Sequence, residues 1–145
     1  MIEKINHKNG LIAIILSHKF SEPGVHFITD DDLTQQLAFM NHPQGKIIEP
    51  HLHNPVRREV DYTQEVLYII KGKLRVDFFT EEQTYLQSRV IMAGDVILLA
   101  SGGHGFTMLE PTEMIEVKQG PYVGESDKTR FQSKLPDKLN YGETE

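Results

Sequence analysis

Apolar positions recur along this chain in short runs, without the three-to-four spacing of a helix. Runs rich in Ile, Val, Leu, Phe and Tyr cover Leu11 to Leu16, Val25 to Ile28, Gln36 to Met40, Lys46 to His53, Glu65 to Ile70, Lys73 to Phe79, Tyr85 to Met92, Asp95 to Ala100, His104 to Leu109 and Glu113 to Lys118, with Gly, Pro, Asn or Asp between them. Short apolar runs punctuated in this way predict β-strands. In "KLRVDFF" the apolar Leu74, Val76 and Phe78 alternate with Lys73, Arg75 and Asp77, so one face of that strand is covered; "DVILLA" is apolar on both parities and predicts a strand covered on both faces. Lys71-Gly72 and Ala93-Gly94 separate consecutive runs and predict hairpins with antiparallel neighbours. The pattern as a whole predicts an all-β chain folded as a closed antiparallel barrel or a two-sheet sandwich.

Only "TDDDLTQQLAFM" hints at a helix, with Thr29 as its cap and Asp30 to Asp32 in the first turn. From Gly120 onward the runs give way to Gly, Pro, Ser, Asp and Lys. Residues 1–119 are therefore expected to hold the strands, and residues 120–145 to form an irregular tail that follows the surface. No repeat or linker divides the chain, and 145 residues suit one domain.

Composition narrows the chemistry. With no cysteine, the chain has no disulfide framework, no thiolate metal site and no cysteine nucleophile, which fits a reducing compartment and makes a cytoplasmic protein the expectation. The apolar run Leu11 to Leu16 is far shorter than a membrane span, so no membrane partner is expected. Against 21 acidic residues stand 15 basic ones, for a formal charge of -6, and no Lys/Arg stripe offers a footprint for a phosphate backbone. Nucleic acid is not an expected partner.

Histidines supply the candidate site. In "GKIIEPHLHN" the residues His51 and His53 lie two apart, so on a strand their side chains share a face. By the same parity His104, in "GDVILLASGGHGF", shares a face with Phe106 and Met108, and Glu65 shares one with Leu67 and Ile69. Imidazoles and a carboxylate at the rim of an apolar interior would suit a divalent transition metal, and the bland alternative is a set of exposed strand histidines and a rim carboxylate paired with a lysine.

The residues from Gly45 through "HLH", Glu65 and Gly72, followed by Gly94 through His104, resemble the two conserved motifs of the cupin superfamily. Gly45 stands six before His51 and Glu65 seven before Gly72, as that pattern asks, and the resemblance spans about residues 45–106. It implies a jelly-roll-like cupin β-barrel in which His51, His53, Glu65 and His104 bind one divalent metal ion, of iron, nickel, manganese or zinc. Two departures accompany it. The eleven residues "NPVRREVDYTQ" separate His53 from Glu65 where the family has only a few, with Glu59 as the other carboxylate in reach, and motif two carries Ala100 or Ser101 where the family has proline. The segment "MIEVKQGPYVGESDKTRF" also looks like stand-alone cupins that accompany surface-carbohydrate biosynthesis, which implies a sugar-like substrate.

Three further residues are candidate substrate contacts. Arg57 and Arg58 in the inserted loop have the chemistry to clamp a carboxylate or phosphate, or else form a solvated charged loop, and Phe106 either contacts substrate or packs in the core. Gly102 and Gly103 leave backbone N–H groups open to an anion beside His104, or simply make a tight turn. His7, His18, His26 and His42 lack a comparable context. The expected activity is that of a metal-dependent isomerase, epimerase or oxygenase acting on a small polar metabolite, and the alternative is a non-catalytic small-ligand or carbohydrate binding module. Open strand edges make a homodimer the expected assembly.

Overall fold

The computed structural model describes residues 1–8 and 10–142. Among the described residues ten strands carry the fold: β1 (Ile2–His7), β2 (Gly10–Leu16), β3 (Gly24–Phe27), β4 (Ala38–Asn41), β5 (Glu65–Lys71), β6 (Lys73–Phe79), β7 (Tyr85–Met92), β8 (Val96–Leu99), β9 (Gly103–Met108) and β10 (Glu113–Lys118). A single turn of 3₁₀-helix, Gly124–Asp127, follows them. The chain is all-β, and every strand pairing is antiparallel. Among the described residues no helix is long and apolar enough to cross a membrane.

Five strands in the order β1-β2-β8-β5-β10 form one sheet and three in the order β7-β6-β9 form another, with β3-β4 as a separate pair. The two larger sheets share a core in which Ile12, Leu67, Ile69 and Ile97 meet Leu74, Val76, Phe78 and Ile91. Each such side chain, once buried, contributes roughly 1.5–3 kcal/mol through the hydrophobic effect. The opposite parity of the larger sheet, with Ile14, Leu16 and Leu98, packs into a second cluster beneath Phe20, Leu37 and Phe39. The two-sided apolar pattern of "DVILLA" has its explanation here: Ile97 and Leu99 serve one core, Leu98 and Ala100 the other.

Four expectations are corrected. The turns at Gly72 and Gly94 are not hairpins, because β5 pairs with β8 and β10 while β6 pairs with β7 and β9, so the chain crosses from one sheet to the other at Gly72 and returns at Gly94. Both glycines have positive φ, 87° and 89°, where a side chain is strained. The two corners brace one another, with the Ala93 N–H donating to the Gly72 carbonyl at 3.0 Å and the Gly94 N–H to the Ile69 carbonyl at 2.7 Å. No helix forms after Thr29; its hydroxyl donates to Gln36 at 2.8 Å and accepts from the Leu37 N–H at 3.1 Å, closing a loop. Residues 46–53 form no strand, since Pro50 removes an amide donor from the run and no neighbouring strand pairs with them. Finally, β1 was not among the expected strands; its few apolar residues give little signal, and pairing with β2 forms it, with Ile5 buried at 1% exposure.

Candidate functional site

Glu65 opens β5 and faces the shared core, next to Leu99 of β8 on one side and Lys118 of β10 on the other. The preceding Gln64 holds it there: its N–H donates to Gln119 at 2.7 Å, its side-chain oxygen accepts the Gln35 N–H at 3.0 Å, and its amide nitrogen donates to the Ala100 carbonyl at 3.4 Å. His104 sits on β9 of the other sheet, opposite Phe78. Its approach is set by the turn before it, where Gly102 at φ 68° lies so close on the Phe79 carbonyl that a Cβ would come within 2.5 Å of that oxygen. The two sheets thus bring a carboxylate and an imidazole together at one end of the core, with His104 Nε2 3.3 Å from Glu65 Oε2.

This pair is largely withdrawn from solvent, with 8% of the Glu65 side chain and 29% of the His104 side chain exposed. Hydrogen bonding by the His104 ring holds the Glu65 carboxyl below the usual glutamate value; burial opposes the shift, and the charges of His104, Lys128 and Lys118 add to it. Around the pair opens a cavity of about 850 Å³, bordered by β9, by the Ser101–Gly103 turn and by residues 127–135 of the tail. Phe106 lines it, its ring 5.4 Å from that of His104. Phe131 closes another side, edge-on to Phe79 at 5.2 Å, and Gly103 makes room for it, because a Cβ there would stand 3.0 Å from the Phe131 ring.

The expected metal donors fall into two separate pairs. His51 and His53 lie on the exposed irregular segment, ring against ring at 5.2 Å, with His51 Nδ1 3.0 Å from the Glu49 carbonyl oxygen. Neither borders the cavity that holds Glu65 and His104. Among the described residues no group of three or more His, Asp or Glu side chains is gathered as a metal ion requires. The donor chemistry suits a divalent ion, but as placed the four residues do not fit a single one. Arg57 and Arg58 are on the same exposed segment and outside the cavity lining; Arg57 closes on Glu59 at 2.9 Å. Tyr62 and Thr63, at the end of that segment, do reach the cavity, and the Thr63 hydroxyl donates to Asp127 at 2.6 Å.

Sequence reasoning missed the wall contributed by the tail. Lys128, Arg130 and Phe131 border the cavity although they lie in a stretch with no strand pattern. The available signal was Phe131 itself, a large apolar residue isolated among polar ones, which marks a point where an irregular segment is pinned to the fold. Farther along, Asn140 ties the tail to β7, accepting the Ser88 N–H on its carbonyl at 2.7 Å and donating its own N–H to the Tyr85 hydroxyl at 3.1 Å.

No family model, curated protein or solved structure significantly matches the chain.

Proposed function

We propose that this chain is a cupin-like enzyme that moves a proton on a small polar, sugar-like metabolite held between β9 and the tail. The observation that carries this reading is the 3.3 Å contact between His104 and Glu65 inside the cavity of about 850 Å³. A carboxylate held below its usual pKa is a weak base near neutrality, so Glu65 is assigned to orient the imidazole and to stabilise its charged form. His104 then carries the proton. On a hydroxy-ketone the imidazole takes the proton from the hydroxyl-bearing carbon, the C–H electron pair forms the carbon–carbon double bond and the carbonyl π pair passes to its oxygen; the hydroxyl proton then moves to that oxygen, and as the second carbonyl forms the imidazolium returns its proton to the former carbonyl carbon to give the isomer. Phe79, Phe106 and Phe131 supply apolar walls that limit water near the exchanging proton.

Deuterium wash-in tests the assignment. Full-length protein in D₂O, incubated with a panel of hydroxy-ketones and keto-sugars, is expected to exchange the carbon-bound hydrogen of at least one compound, and His104→Asn is expected to lower that rate by about 100-fold or more. Recovery of every compound intact and unlabelled would favour the binding module instead.

A second reading keeps the metal, and one observation favours it. β9 is an open edge of its three-stranded sheet, while residues 46–53 are exposed and pair with no strand, with Leu52 at 92%. Addition of that segment to the β9 edge would close the sheets toward the cupin barrel and carry His51 and His53 toward His104. The four residues would then hold a divalent ion, which supplies Lewis-acid chemistry when bound.

A further inference from the structure

We propose that the cavity takes a ligand bearing an anionic group, a carboxylate or a phosphate, seated on Lys128 and Arg130 with its polar remainder against His104; the assignment rests on the reading of the Glu65–His104 pair given above. Four carboxylates border the cavity, and three are already engaged: Glu65 faces His104, Asp77 accepts from Arg75 at 2.8 and 2.9 Å, and Asp127 accepts from Thr63. Glu81 is left, exposed in the turn that follows β6.

The cations that line the cavity, Lys128 and Arg130, keep donors to spare. Among the described residues the Lys128 ammonium makes no ion pair, and Arg130 spends one nitrogen, Nη2, on Glu125 at 2.8 Å and leaves the rest of its fork open. The Lys128 ammonium and the free part of the Arg130 fork are unspent donors on this wall, and an acceptor-rich anion satisfies both at once. Lys128 and Arg130 line the same cavity as Glu65 and His104, so a ligand in it borders both the cations and the pair. The chain as a whole carries a formal charge of -6, so the molecule's overall field does not draw anions in; local cations must do so. Arg57 and Arg58, the sequence-based candidates for the same task, lie outside the cavity lining.

The test uses the full chain and the NMR signal of the His104 ring, titrated at fixed pH with inorganic phosphate, with succinate and, as a neutral control, with glucose. Phosphate, succinate or both are expected to shift the signal saturably, and which of them does so identifies the anionic group. The double variant Lys128→Gln/Arg130→Gln, altered at two exposed side chains, is expected to weaken that binding by about tenfold or more. Equal anion affinity in the variant, or no saturable shift by either anion, overturns the proposal. The two readings fail separately: anion binding without deuterium wash-in sinks the reaction and leaves the anion site, and wash-in without anion binding does the reverse.

Discussion

At the scale of single residues the site depends on one buried carboxylate and the groups that keep it ionised. Glu65 is 6% exposed, and without the His104 ring its charge would be costly in that position. Because its folded pKa lies below the ordinary glutamate value, the unfolded chain takes up this proton at higher pH than the folded one does. The stabilisation is fully present above that ordinary value, about 4.3, and is lost as pH falls below it through the lowered folded value. Urea midpoints measured across this acidic window should fall more steeply with decreasing pH in the wild type than in Glu65→Gln. Parallel curves would mean that the carboxylate is not held as described. Strand parity made Glu65 legible in the sequence, since Leu67 and Ile69 mark the covered face of its run, whereas Phe106 and Met108, which share a parity with His104, stay exposed. Lys128 and Arg130 were not legible, because a segment without regular structure has no period from which to read which side chains face inward.

Among the elements, the corners at Gly72 and Gly94 decide how the strands are dealt between sheets. Sequence reasoning placed both turns correctly and assigned them the wrong geometry, because a glycine between two apolar runs serves a hairpin and a crossing equally well. What separates the cases is non-local: β5 finds its partners in β8 and β10, which lie far along the chain. At Gly72 an added Cβ would meet the Pro111 carbonyl, in a backbone region that side chains avoid. Gly72→Ala should therefore destabilise the fold by at least ~1 kcal/mol, read as a lower urea midpoint with an unchanged slope. A midpoint equal to that of the wild type would contradict the crossing geometry. The Lys46 to His53 run was misread for a related reason. Its composition is that of a strand, but a strand also needs a partner for its backbone groups, and Pro50 reduces what it has to offer one.

For the whole molecule, the two sheets are what make the site, because Glu65 comes from one and His104 from the other. Anything that lets the sheets slide would separate the pair. The all-β, antiparallel architecture was readable from the strand tally, whereas the cavity needs a wall from the tail that no strand pattern announces. The metal question also belongs to this scale. If the two histidine-bearing regions stay apart, elemental analysis of protein purified without chelators should give much less than one transition metal per chain. About one per chain, lost together in His51→Ala and His53→Ala, would favour closure of residues 46–53 on β9.

The most direct test of the paired site is a double-mutant cycle on deuterium wash-in, comparing wild type, Glu65→Gln, His104→Asn and the double variant. If Glu65 acts by orienting His104, the double variant should exchange no more slowly than His104→Asn alone, since the carboxylate has nothing left to orient. Losses that multiply, with the double variant far slower than either single one, would mean that the two residues act independently and would contradict the account.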